Sequence, residues 1–538
     1  MKSLVFFCLF LRCLLSNCDL YAQNLTLDPS FGNNGLWISP SNYSGRLSLL
    51  PNQEFILCGS TLADPFEKRD AAVIKVLNHG QTDTTFGISG RTQISFDDLF
   101  NGNYPYEGLF SSTYFDDGRI VLAGTKSPLN TSLPSKALMA VLHPNGKVDS
   151  SFGSLGRRLF EFDEFSVAQS RILRFSDGDA LFFIALHQAG SVDVTHMVLH
   201  RLNSDGSPDI NFGTNSDGTV SHPASPASPF NGYSGSAQVM MTLEDKLLLC
   251  GTTYSNGFSI RRFNSDGSLD QSFGLNGLAV IEVGFGIQVY DIACQVDGKI
   301  LVFGETRLAG DPVFTIVRLN PDGSKDNSWA NNGVMKQDIG FYDNSIQQGA
   351  SQGDGKVLAV GFRVLEDGTR ESVAARYLKN GLPDTSFGEN GIQIIDMEDG
   401  NVTFRELEIA PDHSVFMMGG LSSGGQNVLY LAKFQTDNYI GTELPISKGN
   451  LRAILLPNIA SSGQAIELHY ELPHPAIVSA QLLDSKGRTV QIFYSKENQM
   501  MGEQWKTLWL REDISSGLYW IKVASTDGQT SLPIVVKR

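Results

Sequence analysis

The sequence predicts an all-β protein: a seven-bladed β-propeller followed by a small immunoglobulin-like β-sandwich. Three observations carry this. A short motif, Asp-x-x-aromatic-Gly, returns at Phe31, Phe86, Phe152, Phe212, Phe273, Trp329 and Phe387, in steps of 55 to 66 residues. The segments before each copy read as short strands separated by Asn/Asp-Gly turns. Past residue 434 the motif stops and a different pattern begins. A period of this size marks a modular array in which each unit needs its neighbours to bury its apolar face.

The unit around residue 250 shows the elements in order. Ala237 to Met241 is a first strand, and Glu244-Asp245 makes a turn. Lys246 to Gly251 is a second strand, apolar on both faces, as expected when it is sandwiched between neighbours. Phe258 to Phe263 alternates as a half-buried third. Asn264-Ser-Asp266-Gly267 is a tight turn, followed by Asp270, Phe273-Gly274 and a fourth strand from Leu278 to Ile281. Four antiparallel strands make one blade. The second strand returns as Phe55 to Gly59, Arg119 to Gly124, Lys299 to Gly304 and Lys356 to Gly361, with looser copies at Leu181 to Ala185 and Val415 to Gly419.

The bookkeeping of strands predicts closure. The last third strand, Val428 to Phe434, has no Phe-Gly segment after it, and the first such segment, Phe31 to Leu36, has no third strand before it. An N-terminal strand near Leu36 therefore completes the seventh blade and covers an otherwise open edge.

The pattern at residues 263–277, Phe-Asn-Ser-Asp-Gly-Ser-Leu-Asp-Gln-Ser-Phe-Gly-Leu-Asn-Gly, resembles the delta-60 repeat of secreted bacterial proteins. The resemblance covers about residues 24–434. Departures are Trp329-Ala330 for Phe-Gly, and Asn145, Asn380 and His79 at the turn Asp. It implies a propeller-like fold and no assigned reaction.

The bulk numbers bound the function. Against 41 Lys and Arg stand 57 Asp and Glu, a formal net charge of −16, so a nucleic-acid partner is not expected. Met1-Lys2 followed by the apolar stretch Leu4 to Leu15 reads as a signal peptide over residues 1–22, cleaved after Ala22; Cys18 raises a lipoprotein alternative, but Asn17 stands where a small residue is expected. No later run is long enough for a transmembrane segment. Cys58, Cys250 and Cys294 remain, an odd number in places suited to buried free thiols.

Uniform short turns lie on one face of the disc. The long, variable connections, such as Ser60 to Asp70, Asp97 to Phe110, Thr125 to Lys136 and Val220 to Ser234, lie on the other. A ligand site is expected on this variable face. Its candidate residues are the aromatics Tyr104, Tyr106, Phe110, Phe230 and Tyr233, which could stack on sugar rings or anchor a protein; the plainer reading is that they close loops over a blade. The repeated Asp and aromatic read as structural, the Asp fixing a turn and the ring filling the seam between blades.

No catalytic residue is assigned. His196 and His200, four apart on a strand, lie too far apart for one metal. There is no nucleophile elbow, P-loop or paired Cys motif. No cofactor is expected; calcium at Asn264-x-Asp266-Gly267-x-x-Asp270 is the one candidate, without the ligand count of an EF-hand loop.

Residues 435–446 form a polar linker to a β-sandwich over residues 447–538. Leu456-Pro457-Asn458, Asp484-x-x-Gly487-x-x-Val490, Ser516-Gly517-Leu518-Tyr519 and the terminal Ile534 to Arg538 resemble the type A C-terminal sorting domain of the type 9 secretion system, with Ile459 replacing the second Pro of the usual Pro-Asn-Pro. The resemblance implies the type 9 secretion machinery as a partner and a secreted or cell-surface location. An adhesive immunoglobulin-like module is the alternative. The expected function is a non-enzymatic binding propeller for an extracellular carbohydrate or protein. The alternatives are a glycan-active hydrolase or lyase and a structural surface coat.

Overall fold

A computed structural model describes residues 24–436 and 452–537, apart from positions 41–42, 51, 62–68, 100–104, 129–132, 163–164, 189–193, 204, 214–216, 224–237, 243, 253–256, 285–286, 309, 341–342, 398–401, 411–413, 424–425, 457–458, 473–474, 485–487, 501 and 526–528. The signal-peptide reading falls outside these residues. The chain forms two compact units, residues 1–439 and 440–538.

In the first unit the described strands form seven antiparallel sheets that succeed one another along the chain. The unit around residue 250 runs Gln238–Met241, Leu247–Thr252, Gly257–Phe263 and Leu278–Glu282. These bounds follow the turn chemistry of the sequence, with one difference. The second-strand glycine does not end its strand: Phe55–Thr61, Ile120–Ser127 and Val357–Val364 all run on past it.

The first strands of the seven sheets are Tyr43–Leu49, Tyr106–Tyr114, Phe165–Arg174, Gln238–Met241, Gln288–Cys294, Asp343–Ser351 and Thr403–Ile409. Each packs beside the next, and the seventh packs beside the first, so they enclose a common axis. This is the arrangement of a β-propeller.

Sheet 7 is closed by the N-terminus. Leu25–Leu27 and Leu36–Ile38 both pair antiparallel with Gln426–Thr436. The Gln393 amide, on the outer strand of sheet 6, clamps this segment: Leu25 N donates to its Oε1 at 2.6 Å, and its Nε2 donates to Leu25 O at 2.8 Å.

The repeated motif joins sheet to sheet. Each of the seven motif aspartates accepts the backbone N–H two residues on, from Ser30, Thr85, Ser151, Asn211, Ser272, Ser328 and Ser386. Each also faces a base of its own sheet, such as Lys246 at 2.6 Å and Arg262 at 2.8 Å from Asp270. The motif aromatic packs against the turn glycine of the next unit, from Phe31 on Gly80 to Trp329 on Gly381. Between them runs a backbone bond such as Gly274 N to Asp322 O at 2.8 Å. At the closure there is no eighth turn, and the Asn24 side-chain carbonyl takes its place, accepting from Gly388 N at 3.2 Å.

The second unit holds two sheets. One is Arg452–Leu456, Ala465–Leu472 and Gly502–Trp509. The other runs in the order Ile459–Ser461, Gln529–Lys537, Gly517–Ala524, Ala476–Leu483, Thr489–Gln499. Ile466, Leu468, Tyr470, Val478, Leu482, Ile521 and Val536 fill a common core.

Candidate functional site

The site begins with a glycine. In sheets 2, 5, 6 and 7 the second strand carries Gly124, Gly304, Gly361 and Gly419 opposite a β-bulge in the first strand. A Cβ at Gly361 would stand 2.0 Å from the Ser345 carbonyl oxygen, so only glycine admits the folded-in backbone. The bulge re-aims the residue that follows it. In register order, through a bulge in sheets 2, 3, 5, 6 and 7 and without one in sheets 1 and 4, the seven first strands present Arg46, Ser111, Gln169, Gln238, Asp291, Gln348 and Glu406, all polar, opposite the second-strand position just before the glycine place.

Part of this belt stitches the ring together. Asp291 accepts from Gly349 N at 3.0 Å, Gln348 from Leu407 N at 2.6 Å, and Glu406 from Leu47 N at 2.6 Å. Each side chain thus satisfies a backbone donor on the exposed edge of the next first strand. The last of these bonds, with the Arg46–Glu406 ion pair at 2.9 Å, joins sheet 7 to sheet 1.

The rest faces the axis. Arg46 of sheet 1 is within electrostatic reach of Asp291 of sheet 5, and Arg171 of sheet 3 is within reach of Arg46 and of Glu406 of sheet 7. Glu408, two residues past Glu406, acts on Asp291 as well. Sheets 1, 3 and 5 are not neighbours of one another, so the side chains meet across a shared lumen.

Withdrawal from bulk water pushes the Asp291 carboxyl up to about 7, against two backbone N–H donors that pull it down. The same burial, with the nearby Glu406 and Asp291 charges, pushes Glu408 up to about 8. Burial and then Arg46 hold the Arg171 guanidinium down at about 10. Among the described residues Glu408 makes no side-chain hydrogen bond, and Arg171 reaches only the Ser170 carbonyl, at 3.1 Å. Sequence reading passed over all five charged residues. The second-strand glycine flags the bulge that precedes Asp291 and Glu406; Arg46 follows no bulge, and Arg171 lies on a sheet without a glycine at that place.

Of the aromatics expected on the variable face, Tyr104, Phe230 and Tyr233 lie outside the described residues. Tyr106 and Phe110 are not loop residues: both belong to the first strand of sheet 2, Tyr106–Tyr114. Tyr106 is half-buried beneath the Arg69 guanidinium, 5.4 Å from the ring centroid. Phe110 is the bulge residue itself and is exposed, its ring tip against Gly108. The alternation of a pleated strand was hidden because the bulge breaks its period.

His200 and His222 serve packing. His200 is buried, bonded to Thr219 Oγ1 at 2.8 Å and pushed down to about 4 by burial and Arg158. His222 Nε2 meets Gly267 O at 3.0 Å. Asp266 accepts from Ser268, while Asp270 is neutralised by Lys246 and Arg262, a donor set that does not fit a calcium ion. Cys58 and Cys250 are buried free thiols and Cys294 is a partly buried one; burial pushes Cys58 up to about 12.

Of the sorting-motif residues, Pro457, Asn458 and Gly487 lie outside the described residues. Asp484 accepts from Arg488 N at 2.9 Å and pairs with its guanidinium at 2.7 Å, closing the hairpin of Ala476–Leu483 and Thr489–Gln499. Gly517 opens the strand Gly517–Ala524, and the Tyr519 hydroxyl donates to Ser515 O at 2.9 Å. Among the described residues no helix is long and apolar enough to cross a membrane.

A family profile described as a domain of unknown function (DUF5122) β-propeller matches residues 245–273, 295–328 and 352–387. Each match runs from the turn before a second strand to the motif aromatic or the residue before it. No curated protein matches the sequence. Among solved structures, a fungal alcohol oxidase of the AA5 family in complex with copper is similar at 12% identity, with 94% of this chain and 100% of that chain covered and a TM-score of 0.45. The β-propeller domain of the Trilobed protease from Pyrococcus furiosus is similar at 11% identity, with 72% and 94% covered and a TM-score of 0.33. A polysaccharide lyase of family PL25, an ulvan lyase, is similar at 10% identity, with 76% and 94% covered and a TM-score of 0.40. Likenesses at this level carry no activity over to the chain.

Proposed function

We propose that this β-propeller repeat protein is an exported binding protein. Its seven sheets are the blades of one closed delta-60-type propeller over residues 24–434, which takes an extracellular carbohydrate or protein ligand. Its immunoglobulin-like sandwich over residues 447–538 is an address for the type 9 secretion machinery, and the mature protein is secreted or held at the cell surface. The observation that carries the binding reading is the lumen: charged side chains from sheets 1, 3, 5 and 7 converge there, and among the described residues Arg171 and Glu408 find no ionic or hydrogen-bonded side-chain partner. Scaffold-held polar groups left open are what a ligand site requires. A glycan array probed with the full chain tests it; if no saccharide or extracellular protein binds, or if binding survives Arg171→Ala and Glu408→Ala together, the lumen is not the site. The export reading is tested by fractionation of cells making a chain without residues 447–538. A truncated protein held in the periplasm supports it, and one found outside the cell sinks it.

A second reading, an extracellular glycan hydrolase or lyase, draws on one observation. A Glu408 carboxyl near 8 is protonated at neutral pH, as a general acid must be. Release of labelled product from polysaccharide, abolished in Glu408→Gln, would establish it in place of simple binding.

A further inference from the structure

The lumen's unpaired charges are of one sign more than the other. Arg405 is the bulge residue of the sheet 7 first strand, between Phe404 and Glu406. It is exposed and has no ion pair or hydrogen bond from its side chain among the described residues. It lies within electrostatic reach of Arg46 on one side and of Arg370 on the other. Arg370 opens the third strand of sheet 6, at the variable-face end, and stacks over Phe362 at 4.7 Å, without a carboxylate partner among the described residues. Arg46 in turn influences Arg171 deep in the lumen. Four guanidinium groups therefore run from the rim between sheets 6 and 7 down to the axis, and among the described residues only Arg46 holds a carboxylate, Glu406. The chain has 57 acidic against 41 basic side chains, so carboxylates are in surplus, yet among the described residues three of these arginines hold none.

Guanidinium groups recognise carboxylate and sulfate through paired N–H donors. The same belt holds Gln238 on sheet 4, whose amide has no side-chain partner among the described residues, and two residues past the belt on sheet 7 stands Glu408, a carboxyl that can donate as well as accept. Amide and protonated carboxyl suit a ligand rich in hydroxyls. The net charge of −16 opposes a long polyanion, which favours a short one. We infer that the lumen binds a short acidic saccharide, its carboxylate or sulfate groups held along Arg370, Arg405 and Arg171 and its hydroxyls by Gln238 and Glu408.

This rests on the binding reading above, and the test separates the two. Isothermal titration of the full chain would use four probes: tetragalacturonate, a sulfated carrageenan tetrasaccharide, neutral cellotetraose and inorganic sulfate. One of the acidic saccharides is expected to bind at least about 10-fold more tightly than cellotetraose and sulfate. Arg405→Gln and Arg171→Gln should each weaken it by about 10-fold or more, the size of a lost charge-assisted bond. Their melting temperatures should hold, since each change removes like-charge repulsion; if either unfolds, Arg405→Lys and Arg171→Lys keep the charge and lose the fork, and should weaken binding in part. Equal binding of cellotetraose, or wild-type affinity in both Gln variants, overturns the inference and leaves the binding reading standing. Sulfate binding as tightly as the saccharides reduces the site to a bare anion site. Silence of all four probes overturns the inference and leaves the binding reading to the glycan array.

Discussion

Replacing Phe273 by alanine should damage one blade seam in a way that a second substitution across the seam can report. The ring is fully buried, with Arg262 stacked 4.5 Å from its centroid. Loss of such a ring costs about 3–5 kcal/mol. Gly323, in the turn of the next unit, has φ +86° and would place a Cβ 2.8 Å from the Phe273 ring tip. Gly323→Ala therefore carries two penalties: about 1–2 kcal/mol for the left-handed backbone, and about 1–3 kcal/mol for overpacking against the ring. In the Phe273→Ala background the second penalty vanishes, because the new methyl enters the space the ring left. The double variant should be more stable than the sum of the singles by about 1–3 kcal/mol, well above the ~0.5 kcal/mol scatter of independent sites. Urea unfolding followed by circular dichroism, on all four members of the cycle, measures it. Gly381→Ala is the control: that glycine packs on Trp329 in the following seam, so it should add independently to Phe273→Ala. Additivity in the Phe273–Gly323 pair would show that ring and turn do not bear on each other, and would refute the account of how units are joined.

Gln393→Ala should lower stability by about 1–3 kcal/mol by leaving the Leu25 backbone groups unbonded at the closure; an unchanged urea midpoint refutes the clamp. Acid should unlock the seams in one direction. Asp28 is held down at about 2, and Asp83, Asp149, Asp270, Asp326 and Asp384 are also held low by the Ser or Thr two residues on and by their Lys or Arg, against the burial that opposes them. Their contribution is complete above the unfolded aspartate range and is lost as pH falls through about 2, which the urea midpoint between pH 5 and pH 2 will show. Glu408 acts in the opposite sense. Its folded value near 8 lies above the unfolded one, so stability falls as pH rises from about 4.5 to 8, and Glu408→Gln should reduce that slope in the same titration, leaving the share of Asp291. Cys58 and Cys250, buried and raised, should resist a thiol reagent at pH 8 until urea unfolds the propeller; rapid labelling of the native protein would contradict their placement.

What the sequence determined by itself is the repeating unit. Strand alternation, Asn/Asp-Gly turns and the Asp-x-x-Phe-Gly motif are codes written within about 60 residues, so each copy can be read alone. Counting incomplete copies at the two ends was enough to join Leu36 to the strand of Val428. The two sheets of the second unit were legible for the same reason, from alternation in Ile466 to Leu472 and Leu518 to Val523. The lumen was not legible. Arg46, Arg171, Asp291, Glu406 and Glu408 are up to 362 residues apart and carry no shared motif. They become one site only because seven first strands are wrapped about an axis, with a bulge in sheets 5 and 7 setting the side chain that follows it, Asp291 or Glu406, toward that axis. Their chemistry follows from that convergence, since a carboxyl is raised or a guanidinium left unpaired by what the ring brings near it and by the water the ring keeps away.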